Sequence, residues 1–172
     1  MDQSKAANPY IGLIERQSVI NGRYENVTRI DPNAGDGYFS LVFKADDRQT
    51  KRKVVLKFYD PTRRNDYRER CFDRESAILE ILKGQRDILQ LVEPRSELTL
   101  QITDGNGISF PVLFRFLSTD LARSNTREYI YGDSGAADTN LLYFRAMCRA
   151  VQRIHTLQIC HRDLKPENFF II

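Results

Sequence analysis

The stretch His161–Asn168 reads HRDLKPEN. Its residue types form a set that could move a phosphoryl group. Asp163 is a carboxylate able to orient an attacking hydroxyl and accept its proton, and Lys165 is a cation able to offset charge on the group in flight. Asn168 offers a neutral oxygen suited to Mg²⁺, which takes oxygen ligands and few of them from protein. Pro166 stiffens the loop, and Arg162 stands beside Asp163 as a structural or regulatory cation. A charged surface loop can carry HRD alone; the full string is far more specific.

Such chemistry also needs a hold on phosphates. Lys57 closes the run VVLK. Three apolar residues precede it, so it emerges at a buried position and needs a carboxylate partner. Glu75 is the candidate, because it shares a helix face with Cys71, Ile78 and Leu79. Upstream, NAGDGYFSLVFKA places Gly35 and Gly37 at i, i+2. Neither has a Cβ, so the backbone can approach an anion closely. The pair alone is weak evidence, since an ordinary hairpin turn also gives it. Val42 and Ala45 follow where small or branched side chains would cover a base.

These residues must be carried by regular elements. YFSLVFKA (Tyr38 to Ala45) and KVVLKFY (Lys53 to Tyr59) read as strands joined through DDRQTKR, and Asp60-Pro61 ends the second. From about Arg63 to Leu82 the period becomes helical, with Tyr67, Cys71, Glu75, Ile78, Leu79 and Leu82 on one side and Gly84 as the stop. ELTLQIT and ISFPVLFRF flank the turn DGNG as a second hairpin, where Pro111 implies an irregular or edge position. Ser118 to Asn140 reads as a polar linker. LLYFRAMCRAVQRIHTL then carries Phe144, Met147, Cys148, Val151 and Ile154 at helical spacing, capped by Thr139 or Asn140. The first thirty residues are weakly patterned, with NPY and NG as turn signals. The order is that of an α+β chain: a small sheet domain joined to the beginning of a helical one.

The bulk properties narrow the classes. The chain has 172 residues, 41% of them hydrophobic and 28% charged, and a net charge of +3. That is a folded globular composition. Basic and acidic residues are interspersed, which argues against a nucleic-acid partner. No apolar run approaches the length of a membrane span, and MDQSKAANPY is no signal peptide, so a cytoplasmic location is the default. Cys71, Cys148 and Cys160 match no metal spacing and read as small buried hydrophobes. In TRRNDYRERCFDRE the arginines at 63, 64, 68, 70 and 74 could dock a phosphorylated loop. Asp66, Glu69 and Asp73 balance them, and a solvated helix face is the favoured reading. His155 and His161 read as packing histidines.

Taken in order, these motifs resemble those of a eukaryotic-type Ser/Thr protein kinase. The resemblance runs from about Asn33 to the last residue. It implies a bilobal kinase fold: an antiparallel sheet N-lobe with one helix, then the first helices of an incomplete helical C-lobe. The divisions are 1–30 as an N-terminal extension, 31–117 as N-lobe with hinge, and 118–172 as the start of the C-lobe. By the resemblance, Gly35 to Val42 cover the phosphates of ATP, and Lys57, fixed by Glu75, holds the α- and β-phosphates. Asp163 is the base and Asn168 binds Mg²⁺. Phe114 resembles the gatekeeper before a hinge at Arg115-Phe116-Leu117. Backbone groups near Arg115 and Leu117 would then bind adenine, Asp120 would reach the ribose, and Val55 and Phe170 would complete the pocket. Lys165, two after the base, resembles the Ser/Thr rather than the tyrosine branch, and it argues against small-molecule kinases.

Ser40 stands where the family has a third glycine, and Val55 where it usually has alanine, which tightens the adenine pocket. The sequence ends at Ile172, before any D-F-G, so the second metal ligand of the family is not among these residues. The expectation is a piece of an ATP- and Mg²⁺-dependent enzyme acting on protein substrates, inactive alone and completed by a further segment or a partner chain. The rival expectations are a truncated module that binds nucleotide or protein without catalysis, and a kinase acting on a small molecule.

Overall fold

The computed structural model describes residues 8–30, 40–127 and 137–172. In chain order the elements are α1 (Ile11–Glu15), β1 (Val19–Ile20), β2 (Tyr24–Arg29), β3 (Ser40–Asp47), β4 (Arg52–Tyr59), α2 (Asp66–Ile81), β5 (Leu91–Thr103), β6 (Ser109–Asp120), β7 (Ser124–Asn125), α3 (Ala137–Thr156) and β8 (Phe170–Ile171). Strands β1 to β6 form one sheet in the order β1-β2-β3-β4-β6-β5, with every neighbour antiparallel. The α+β architecture is the one expected: a sheet-based lobe followed by the first part of a helical one.

Local chemistry explains the turns. Between β1 and β2, Asn21 (φ 50°) and Gly22 (φ 67°) are both left-handed at the centre of a tight turn that the Arg23 amide closes on the Ile20 carbonyl at 3.0 Å. Between β5 and β6, Asp104 Oδ1 accepts from the amides of Asn106 and Ile108, both at 2.9 Å, and Gly107 takes φ 80°. Helix α2 starts where Asn65 accepts from the Arg68 amide at 2.8 Å, and Asp66 and Glu69 sit at its positive end. The helix therefore begins later than the sequence implies, because Pro61–Arg63 forms a 3₁₀ turn first.

The two sheet faces have separate cores. On one, Tyr24, Phe43, Leu56, Phe58, Phe114 and Phe116 are wholly buried together with Ile14 of α1 and Ile20. On the other, Tyr59, Leu91 and Leu117 pack under Phe72 and Leu79 of α2. Each fully buried aromatic or aliphatic side chain stabilises by roughly 1.5–3 kcal/mol relative to exposure. The buried side of α2 is thus Phe72, Ser76 and Leu79, and Tyr67, expected inside, is 68% exposed.

Residues 8–30 belong to this sheet rather than to a separate extension. β1 and β2 are two of its strands, Tyr10 meets the Phe114 ring edge-on at 5.2 Å, and Asn8 donates to Asp60 at 2.8 Å. The polar linker expected from Ser118 begins later, since β6 continues to Asp120. Pro111 lies where β6 has only β5 beside it, as its missing N–H requires. Thr139 and Asn140, expected as caps, lie inside α3. Among the described residues no helix is long and apolar enough to cross a membrane.

Candidate active site

The strand register decides which side chains share a face. Lys57 of β4 stands opposite Val42 of β3 and Leu117 of β6, and Val55 stands opposite Thr119. Directly paired residues point the same way, and alternate residues along a strand do too. Val42, Val55, Lys57, Leu117 and Thr119 therefore lie on the α2 side of the sheet. There the Lys57 ammonium donates to both Glu75 oxygens, at 2.6 and 2.7 Å. The side chains are 30% and 41% exposed, so the pair adds little to stability, and its significance is placement.

The second cluster follows α3. That helix closes with Gln158 at φ 58°, the Gln158 amide bonding the His155 carbonyl and the Ile159 amide that of Ile154, both at 2.9 Å. Arg162, also left-handed at φ 64°, then redirects the chain into the loop. Lys165 Nζ reaches Asp163 Oδ2 at 3.0 Å. The Asn168 amide nitrogen donates to the same oxygen at 2.9 Å and to the Asp163 carbonyl at 2.7 Å. The Lys165 contact first, and Asn168 second, hold the exposed Asp163 carboxyl below the usual carboxylate range. It is therefore an ionised acceptor at neutral pH, fit to orient a hydroxyl. With its nitrogen spent on Asp163, Asn168 keeps its amide oxygen, the kind of atom Mg²⁺ prefers.

The segment after β6 braces this loop. Thr126, almost wholly buried, donates its hydroxyl to the Pro166 carbonyl at 2.7 Å and its amide to the Phe169 carbonyl at 2.8 Å. Arg127 pairs with Glu167 at 2.6 Å, and β7 pairs with β8, setting Asn125 against Phe170. The loop after α2 meets α3 through Asp87, which lies 3.6 Å from Arg153 and 3.9 Å from Arg149. The expected apolar stripe of α3 lines an open groove of about 610 Å³ with Phe144, Met147, Val151 and Phe169.

The structure thus brings Lys57 to Glu75, with Val42 and Val55 on the same face, and it brings Asp163, Lys165 and Asn168 together. Among the described residues no hydrogen bond or ion pair links the two clusters. Gly35 and Gly37 lie outside the described residues. Four nucleotide-pocket assignments are placed differently. Phe114, expected as gatekeeper, is wholly buried in the core on the face away from Lys57. Arg115 and Leu117, expected to offer backbone groups to adenine, are paired in the sheet, Arg115 with Glu97 and Leu117 with Lys57. Asp120 stands opposite Val54, a core residue of that same far face. The physical reason is strand length. β6 runs three residues past the expected hinge, so the chain leaves the sheet only at Leu121. Thr119, opposite Val55 and on the side of Lys57, was not singled out by the sequence. The alternation of FRFLSTD was the signal, hidden because Ser-Thr-Asp reads as loop. Thr126 had no sequence signal, since its partner lies forty positions away.

Comparison with known proteins gives the family. Residues 29–172 match the model of the protein kinase domain. The rat serine/threonine-protein kinase DCLK2 is 31% identical over 145 residues, covering 83% of this chain and 17% of its own length. Extracellular signal-regulated kinase 7 of Drosophila melanogaster is 28% identical over 148 residues, covering 86% of this chain and 15% of its own. Death-associated protein kinase dapk-1 of Caenorhabditis elegans is 26% identical over 158 residues, with 86% of this chain and 10% of its own covered. The chain spans well under half the length of the curated relatives it matches. With that match over most of its residues, on a fold that pairs the strand lysine with the helix glutamate, the chain belongs to the protein kinase domain family.

Proposed function

We propose that the protein to which this chain belongs transfers the γ-phosphate of ATP to serine or threonine hydroxyls of other proteins. The observation that carries the reading is the shared Asp163 oxygen, bonded by Lys165 at 3.0 Å and Asn168 at 2.9 Å. In this reading Asp163 orients the substrate hydroxyl, whose oxygen bonds to the γ-phosphorus as the bond to the β-phosphate oxygen breaks. The hydroxyl proton passes to the Asp163 carboxylate and ADP leaves. Lys165 offsets charge on the moving group. Lys57, held by Glu75, grips the α- and β-phosphates, and Val42, Val55 and Thr119 border the base. Asn168 would hold Mg²⁺, which supplies charge neutralisation on the phosphates.

A phosphorylation screen of the full-length protein tests this. It sets Ser/Thr peptides and Tyr peptides beside a panel of small-molecule alcohols and labelled ATP. The reading expects label on Ser/Thr peptides only. Label on metabolites would overturn it in favour of a small-molecule kinase, and nucleotide binding with no transfer in favour of a binding module.

A further inference from the structure

Helix α2 has a narrow apolar seat. Within it only Phe72 and Ser76 are buried, and its ends are open, with Tyr67 68% and Ile81 62% exposed. At 3.6 residues per turn, Glu69 and Asp73 stand on one flank of the Phe72–Ser76 stripe and Glu75 on the other. Glu75 is tied to the sheet by Lys57. The opposite flank is tied by Arg115.

Arg115 projects from β6 on the same face as Lys57 and is only 13% exposed. One terminal nitrogen lies 3.2 Å from Glu69 Oε2, and the other lies 3.3 Å from both Asp73 oxygens. Its guanidinium stacks over the Tyr59 ring at 5.4 Å. Charge-assisted contacts from a planar, nearly buried cation are directional, unlike the apolar contacts of Phe72. A helix resting on a stripe as narrow as Phe72 and Leu79 can roll about it, and a second grip on the far flank fixes the roll. We infer that Arg115 is a positioning residue: its grip on Glu69 and Asp73 sets the rotation of α2 and so holds Glu75 against Lys57. The inference rests on the proposed role of the Lys57–Glu75 pair. Without Arg115 the two carboxylates keep their outer partners, Glu69 with Arg64 at 2.7 Å and Asp73 with Arg95 at 3.3 Å. The helix therefore stays formed and loses only its registration on the sheet.

The test uses the full-length protein and the variants Arg115→Met, which keeps the packing on Tyr59, Arg115→Lys and Asp73→Asn. Two quantities are read: the rate at which a small acylating reagent modifies Lys57, followed by mass spectrometry, and KM for ATP against kcat. In Arg115→Met, Lys57 modification should accelerate severalfold and KM for ATP should rise about tenfold. Arg115→Lys should recover most of both. Should Arg115→Met fail to fold, Asp73→Asn halves the grip while Glu69 still faces Arg115, and a smaller shift in the same direction is expected. Wild-type Lys57 reactivity and KM in the folded variants would overturn the inference. Absence of ATP turnover in the wild-type protein would instead overturn the kinase reading, and Lys57 reactivity would still decide the role of Arg115.

Discussion

Phe114→Ala separates two accounts of the same residue. A gatekeeper would line the nucleotide pocket, and its truncation would alter ATP binding with little effect on stability. The structure places the ring in the core of the opposite face, wholly buried, edge-on to Tyr10 at 5.2 Å and to Phe58 at 6.5 Å. Truncating a buried phenylalanine costs about 3–5 kcal/mol, the lost transfer energy plus the cavity left behind. For a folding unit of about 150–250 residues that is a fall in melting temperature of roughly 6–20 °C. ATP affinity should stay close to wild type, because the ring is on the far side of the sheet from Lys57. Thr119→Phe should raise ATP KM, since a large ring opposite Val55 intrudes on the nucleotide's space, and because Thr119 is itself almost wholly buried the overpacking should also cost about 1–3 kcal/mol. Thermal melts and ATP titrations of both variants decide the matter. An unchanged melting temperature with altered ATP affinity in Phe114→Ala would refute the register on which the site is built.

Three further outcomes follow from particular contacts. Asp47 is wholly buried and takes two hydrogen bonds from Arg23, at 2.9 and 2.8 Å, which with help from the Gln49 amide and Thr50 hold its carboxyl well below the usual range. A depressed folded-state value gives stability that is complete above the ordinary carboxylate pKa of about 3.9 and is lost as the pH falls below it. Asp47→Asn should cost about 1–3 kcal/mol at neutral pH, since Arg23 then keeps only Glu93 at 3.3 Å as a carboxylate partner, and should flatten the acid limb of a melting-temperature profile; an unchanged acid limb counts against the network. Asn65→Ala should cost about 1 kcal/mol and Asn65→Asp almost nothing in a thermal melt, since only the cap acceptor matters; equal losses would remove the cap from the account. Thr126→Val should cost about 1 kcal/mol and speed hydrogen exchange at the Asn168 amide, whereas unchanged exchange there would mean the Pro166–Asn168 turn holds without its brace.

Much of this was legible from local pattern. Lys57 and Glu75 could be paired because a lysine after VVL and a glutamate among Cys71, Ile78 and Leu79 each need a partner of opposite charge. Asp163, Lys165 and Asn168 lie within one short loop, so their meeting is almost a consequence of chain length. The DGNG and NG turns declared themselves through residues that tolerate positive φ. What failed depended on long-range register. Where β6 ends is decided by the reach of β4 and β5 beside it, not by the Ser-Thr-Asp composition of its last turn, so the pocket residues were displaced and Thr119 missed. The membership of residues 8–30 in the sheet was hidden for a similar reason: β1 has two residues, and Tyr10 and Ile14 are recruited by a core that the rest of the chain builds. Arg115, expected as part of a hinge, shows what its side chain does only once α2 is laid across it.

The most direct test of the central claim is transfer of labelled γ-phosphate from ATP to a Ser/Thr peptide by the full-length protein, wild type against Asp163→Asn. Transfer by the wild type is expected, with a loss of roughly 10²–10⁴-fold in the variant and ATP binding retained because Lys57 and Glu75 are untouched. Transfer at the wild-type rate by Asp163→Asn would contradict that claim.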